Sequence, residues 1–263
     1  MSELYSTMYD VKLIDSHCHL DFPAFDTDRE QVLQRALDCN ICDIVIPGTQ
    51  SIYWHRIKNI CDTDNHLHAC YGLHPYWADK HQDEDIDALV SFIDSNKPVA
   101  VGECGLDFRK QHADKETQLH FLEAQFKIAC NRNLPVVVHA VNATETIIQA
   151  IKKFKGLHGM IHSYSGSSEQ AGQLIDLNFL ISINGSVTFD NAKKIKQVVR
   201  ETPLTSLLVE TDAPDQADQN NIGKRNEPAY LINTVRAIAE LKQTSINSIA
   251  EQTTANAKTL FGI

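Results

Sequence analysis

Short apolar runs alternate with longer amphipathic stretches along the whole chain. Eight runs have the length and β-branched content of buried strands: VKLIDSH (11–17), DIVIPG (43–48), HACYGLH (68–74), PVAVGEC (98–104), PVVVHA (135–140), LHGMIHS (157–163), FLISING (179–185) and SLLVETD (206–212). Between them apolar residues recur three and four apart, as at Val32, Leu33, Ala36 and Leu37, or Leu119, Leu122, Ala124, Phe126 and Ala129. That is helical spacing. Two further helical segments, 227–242 and 245–260, finish the chain, with Asn226 placed to cap the first and Pro228 tolerated in its opening turn. Strand–helix alternation with Val/Ile-rich strands predicts a parallel sheet. Eight such units predict a closed (β/α)₈ TIM-like barrel more readily than an open sheet. No linker or low-complexity segment interrupts the alternation, and 263 residues is a typical barrel length, so a single domain over residues 1–263 is expected.

Charge and cysteine usage narrow the function. With 24 basic and 34 acidic residues the formal charge is −10, which argues against coating duplex DNA by bulk electrostatics. Any nucleic-acid contact must be local. Seven cysteines without a repeating spacing predict reduced thiols and a cytoplasmic address. The opening MSELYSTMYDVK has neither the basic nor the apolar region of a leader, and no apolar run approaches a membrane span. A soluble protein without a membrane partner is expected. Cys39 and Cys42 form a C-x-x-C, but at the end of a helical pattern rather than at a helix start after a strand, and Cys61 and Cys70 supply no second close pair. Structural thiols fit that placement better than redox or zinc-knuckle chemistry.

Polar residues with ligand chemistry cluster at the carboxyl ends of the predicted strands. His17 and His19 end the first, Glu103 the fourth, His139 the fifth, His162 the sixth and Asp212 the eighth. In a (β/α)₈ barrel those ends share one mouth. Residues two apart on a strand point the same way, so His17 and His19 can grip one ion while Cys18 turns to the helix layer. An H-x-H also arises by chance among 12 histidines, and a second pair, His66 and His68, precedes its strand and belongs at the opposite face. His139 alone could be a core histidine. The coincidence of all six with strand ends predicts a metal site, because buried carboxylates such as Glu103 and Asp212 are costly without a compensating cation. His74, in GLHP at the end of the third strand, can hold a substrate oxygen or shuttle a proton, or can serve merely as a turn residue. Lys224 and Arg225, in GKRNEP after the eighth strand, can bind a phosphate or carboxylate, or can form a solvated loop pair.

The segments IDSHCHLD, GLHP, GECGLDF, PVVVHA, HSYSG, VETDAP and GKRNEP, in this order, closely resemble the TatD-type metal-dependent deoxyribonucleases of the amidohydrolase superfamily. The resemblance runs from about residue 13 to the C-terminus. It implies a divalent metal pair (Mg²⁺, Mn²⁺ or Zn²⁺), with Glu103 bridging the ions and His17, His19, His139, His162 and Asp212 completing the ligand set. It also implies cleavage of phosphodiester bonds in DNA, often from the 3′ end. Three positions depart from the family pattern. The stretch DQADQNNI replaces an aromatic, Pro-rich loop, HSYSG replaces HCFSG, and a glutamate bridges where many amidohydrolases carry a modified lysine. The last favours the nuclease branch; the first changes the substrate loop.

Two metal ions would polarise the scissile phosphoryl group and lower the pKa of an attacking water, with Asp212 orienting that water and accepting its proton. His74, Lys224 or Arg225 would hold the phosphate of a single-stranded or frayed DNA end. A hydrolase of small amides, lactones or esters, including an aminoacyl ester on RNA, could use the same pair. A barrel kept for binding alone has no need of six placed ligands.

Overall fold

The computed structural model describes residues 11–263, so most of the segment read for a leader lies outside the described residues. Eight strands form one sheet in sequence order, every neighbour pair parallel: β1 (Leu13–Asp15), β2 (Ile41–Ile46), β3 (Leu67–Tyr71), β4 (Ala100–Asp107), β5 (Val136–Val141), β6 (Gly159–Ile161), β7 (Phe179–Ile183) and β8 (Leu207–Val209). A helix follows each strand: α1 (Arg29–Asp38), α2 (Trp54–Cys61), α3 (Asp83–Asn96), α4 (Lys115–Arg132), α5 (Thr144–Ile151), α6 (Ser168–Asp176), α7 (Lys193–Glu201) and α8 (Leu231–Lys242). A ninth, α9 (Ile246–Phe261), is added at the end. The chain is a (β/α)₈ barrel, as its alternation predicts.

Backbone hydrogen bonds past the strand ends bring β8 to β1. The Ser16 N–H donates to Val209 O at 3.1 Å, Asp212 N–H to His17 O at 2.9 Å, and His19 N–H to Ala213 O at 2.8 Å. These bonds nearly close the barrel. They also explain why β1 and β8 stop short of the predicted ends: the chain beyond Asp15 and Val209 spends its N–H groups on cross-barrel turns rather than on a ladder.

Side-chain parity fills the interior in layers. Ile14, Val45, Cys70, Ala100, Val137, Met160 and Leu208, one from each of seven strands, form a cluster with Ala257 and Phe261 of α9, and Leu180 of β7 packs against it. That layer is the floor, and α9 seals it from below. Above it lies a polar layer: Ser16 Oγ is 3.1 Å from Ser182 Oγ, whose hydroxyl donates to Glu210 Oε2 at 2.5 Å. Two residues beyond the floor in β5, β6 and β8 the same parity delivers His139, His162 and Glu210 to the top, and four beyond it in β3 delivers His74. In β4 the ladder to β5 shifts register between Val101 and Cys104. That irregularity changes which face follows Ala100, and it brings Glu103 to the site. Gly105 leaves β4 room against β5: a Cβ there would lie 2.1 Å from His139 O.

Several boundaries correct the sequence reading. β4 continues to Asp107, so Glu103 lies inside the strand rather than at its end. His68 is within β3, not ahead of it, and with His66 it contacts Asp43 Oδ1, at 2.9 and 3.3 Å, at the amino end of the barrel. Asn226 does not cap α8, which starts only at Leu231 after a 3-10 turn at Pro228–Tyr230. Its amide instead donates to Thr211 O and Asp215 O, tying down the loop after β8. All seven cysteines are free, with Cys39 ending α1 and Cys42 inside β2. No helix among the described residues is long and apolar enough to cross a membrane.

Candidate metal centre

Glu103 stands at the centre of the mouth, 1 % exposed, and its two carboxylate oxygens face two different groups of side chains. Oε2 faces the β1 and β8 side. There His17 Nε2 lies 3.3 Å from Glu103 Oε2, 3.3 Å from His19 Nε2 and 3.5 Å from Asp212 Oδ1. His19 Nε2 lies 3.5 Å from Glu103 Oε2 and 3.6 Å from Asp212 Oδ1. Oε1 faces the strands β3 to β6, with His162 Nε2 at 2.9 Å, His139 Nδ1 at 3.0 Å and His74 Nε2 at 3.0 Å. His139 Nδ1 and His162 Nε2 are themselves 3.0 Å apart. The six residues predicted as ligands therefore meet, from strand positions up to 195 residues apart in sequence.

These atoms fit a cation better than they fit one another. Ligands about 2.0–2.1 Å from a tetrahedral ion stand about 3.3–3.4 Å apart, close to the spacing on the Oε2 side. Two imidazole nitrogens 3.3 Å apart repel unless one is protonated, and Glu103 Oε2 has no hydrogen-bond partner although it is buried. A cation would satisfy both. His17, His19 and Asp212 form one group able to hold an ion, His17, His162 and Glu210 a second, and Glu103 and His139 a third that His74 joins only with its Nε2 deprotonated.

Backbone geometry aims the carboxylate of Asp212. The residue has φ 57, in the left-handed region, so the chain folds back over the mouth just past β8. The turn is pinned by Asp15, whose carboxylate accepts from Thr211 N–H at 2.9 Å and from the Thr211 hydroxyl. Gln216 Nε2 donates to Asp212 Oδ2, leaving Oδ1 to the histidines. Burial pushes the Asp212 carboxyl up, against the downward pull of His162 and His17.

Sequence reasoning missed the groups behind the ligands. Asp107 Oδ2 lies 3.1 Å from His139 Nε2, and its oxygens also take the Arg109 Nε–H at 2.9 and 3.0 Å. Burial would raise the Asp107 carboxyl, but the hydrogen bonds from His139 and Arg109 hold it far below the usual range. Glu210 Oε1 lies 3.6 Å from His162 Nδ1, and its other oxygen accepts from Ser182. Carboxylates behind imidazoles fix ring orientation and raise ligand basicity. Spacing carried the signal in both cases: Asp107 is two pleats beyond Glu103, and Glu210 one pleat before Asp212.

Burial lowers the His74 imidazole to about 4, against the opposing pull of Glu103. Its Nδ1 accepts from Tyr76 N–H at 2.9 Å, so in the neutral ring the proton sits on Nε2, facing Glu103 Oε1. For Glu103, burial raises the carboxyl, but the imidazoles of His74, His162 and His17 together hold it well below its ordinary value. Lys224 is exposed, its Nζ 3.4 Å from Asn221 Oδ1. Arg225 is engaged elsewhere: it donates to both oxygens of Asp28 at 2.7 Å and to Ala24 O at 2.6 Å, and lies over the Phe25 ring. The structure does not bring it to the ligand cluster.

Comparison with known proteins gives the same picture. Residues 14–262 match the model of the family described as TatD related DNase. The chain belongs to that family. It is 37 % identical over 253 residues to an uncharacterized metal-dependent hydrolase, YabD, of Bacillus subtilis, covering 95 % of this chain and 99 % of the relative. It is 31 % identical to the human deoxyribonuclease TATDN3, covering 95 % of each. Among solved structures it resembles the TatD homologue YjjV of Escherichia coli, with a TM-score of 0.90 at 33 % identity, covering 95 % of this chain and 98 % of that one. This TatD-type barrel is a metal-dependent hydrolase.

Proposed function

We propose that this TatD-type hydrolase cleaves phosphodiester bonds at DNA strand ends, single-stranded or frayed, with two divalent cations that Glu103, His17, His19, His139, His162 and Asp212 would hold. One observation carries the reading: a single carboxylate turns one oxygen to His17, His19 and Asp212 and the other to His139 and His162. The deoxyribonuclease named among the human relatives supports DNA as substrate. When bound, the ions (Mg²⁺, Mn²⁺ or Zn²⁺) supply Lewis-acid charge at the phosphoryl group and lower the pKa of the attacking water.

The chain's residues do the rest. Asp212 keeps Oδ1 on the histidines, and its Oδ2, held by Gln216, is placed to orient the water and take its proton. His74 presents Nε2–H toward the centre of the mouth, where it can donate to a phosphoryl oxygen. Lys224, exposed and held only by a long 3.4 Å hydrogen bond to Asn221 Oδ1, would meet a backbone phosphate. Seven free thiols suit a cytoplasmic setting.

The test is cleavage of end-labelled single strands by the metal-loaded enzyme, beside intact duplex and a panel of lactones and esters. Shortening from one end is expected, with Asp212→Asn slowing turnover about 100-fold or more, the scale of a general base. Binding should fall with salt at a log–log slope of about −0.7 per neutralised phosphate, thus about −1 to −2 in all. Turnover of the small esters without any of DNA would overturn the reading.

A further inference from the structure

A cavity of 260 Å³ opens beside the ligand cluster, among the segments that follow β1, β2 and β3, lined by Asp21, Phe22, Thr49, Tyr53, Arg56 and Trp77 among others. Its inner wall is continuous with the cluster. The Phe22 ring stacks on His19 with centroids 4.5 Å apart, Thr49 O accepts the His74 N–H at 2.9 Å, and Trp77 meets the His74 ring edge-on at 5.5 Å. Arg56 fixes the outer wall, donating from Nε to Asp21 O at 2.6 Å and pairing with Asp26.

Two of the lining residues each carry a buried polar atom without a partner. Asp21 is 3 % exposed and Thr49 2 %, yet Asp21 Oδ1 and Thr49 Oγ1 make no hydrogen bond. Native proteins rarely bury such groups unpaired, and a carboxylate acceptor and a hydroxyl lining one cavity are the groups that the N–H and ring acceptor of a nitrogen heterocycle would satisfy. Flat aromatic faces complete the match, since Tyr53 is 39 % exposed and Phe22 and Trp77 are half-buried. The volume lies below the range of about 300–1,000 Å³ typical of drug-sized ligands, so it suits one ring system rather than a length of strand.

We propose that this cavity is a subsite for the base of the nucleotide at the strand end. Asp21 Oδ1 accepts a base N–H, Thr49 Oγ1 pairs with the neighbouring edge atom, and Tyr53, Phe22 and Trp77 hold the ring. The inference rests on the nuclease reading and supplies what the ligand cluster lacks, contact with the base rather than the phosphate. It also suits a chain of net charge −10, because stacking does not depend on cationic surface.

The experiment has two arms. In the first, free nucleosides and deoxyribose are titrated into the holoenzyme while tryptophan emission is followed; Trp77 borders the cavity, and the other tryptophan, Trp54, is buried in the core. Saturable quenching by nucleosides and none by deoxyribose is expected, weakened in Asp21→Asn and Thr49→Val. In the second, KM is measured on single strands ending in a normal or an abasic residue. Tyr53→Ala, at an exposed position, should raise KM about ten-fold on the normal end, in line with the usual loss of a base–aromatic stack. That difference should vanish on the abasic end. Equal KM for both ends in the native enzyme, with no nucleoside quenching, would overturn the subsite while leaving the nuclease reading intact. If no strand is cut at all, the nuclease reading fails, and the quenching arm decides the subsite by itself.

Discussion

The two halves of the ligand cluster orient the same side chain by different means. On the β3 to β6 half, two of the three imidazoles have a hydrogen-bonded partner behind them, Asp107 behind His139 at 3.1 Å and Tyr76 N–H on His74, while the Glu210 carboxylate stands 3.6 Å from His162 Nδ1, which makes no hydrogen bond. On the β1 half, His17 Nδ1 and His19 Nδ1 are buried and have no partner. Their rings are set by stacking instead, His17 on His162 at 4.0 Å with planes 10° apart, and His19 on Phe22 at 4.5 Å. A carboxylate fixes tautomer and ring plane and raises basicity, whereas stacking fixes the plane alone. The carboxylate-backed half is therefore expected to hold its cation more tightly and to fill first.

Removing the group that joins the halves should have the largest effect. Glu103→Ala deletes an oxygen from each side, so elemental analysis should find metal lost and turnover should fall about 1,000-fold or more, the worth of several kcal/mol of metal charge stabilisation. Unchanged metal per chain, with a normal thermal melt, would show that the halves do not share this carboxylate.

A smaller effect separates the halves. Asp107→Asn keeps a hydrogen-bonding oxygen but removes the charge behind His139, and should weaken metal binding about 10–100-fold in a calorimetric titration of the stripped protein. Phe22→Ala removes the stack beneath His19 and should cost about 2–10-fold, the scale of an aromatic pair. The reverse order would break the comparison, because packing would then outweigh charge in orienting the ligands.

The same contrast explains what the sequence made legible. A histidine or carboxylate at the end of an apolar run announces itself, because the run predicts a strand and the strand end predicts the mouth. His139 after PVVV and Asp212 after SLLVET are of this kind. Asp107 was hidden because GECGLD reads as a strand ending near Cys104, whereas pairing with β5 extends the strand to Asp107, opposite Val141. Asn226 and Arg225 lie in a loop without periodicity. Their partners, Thr211 for one and Asp28 for the other, are set by tertiary packing, in the second case 197 residues away. Local pattern carries the strands and the polar residues that gather at their ends; it does not carry the groups that hold loops in place.

Arg225 gives the smallest effect, and it concerns the stacked half. Its guanidinium ties the loop after β8 to the segment after β1 through Asp28, Ala24 O and the Phe25 ring, the region that also carries His19 and Phe22. The Arg225 hydrogen bond, working against burial and with the charges of Arg225 and Arg35 assisting, draws the Asp28 carboxyl down from 3.8 to about 2. A carboxyl depressed on folding stabilises the fold at every pH above its unfolded value, and loses that contribution as pH falls through the folded value. Arg225→Met should therefore lower Tm at neutral pH by about 1–3 °C, the scale of an exposed ion pair in a chain of this size. Native and variant melting curves should converge as pH drops from 3.8 toward 2. The neighbouring Lys224→Ala should leave Tm alone and flatten the salt slope of DNA binding by about 0.7. If instead Arg225→Met leaves Tm unchanged at neutral pH and flattens the salt slope, then Arg225 leaves Asp28 for a phosphate when DNA binds. The loop after β8 would then belong to the substrate rather than to the wall of the barrel.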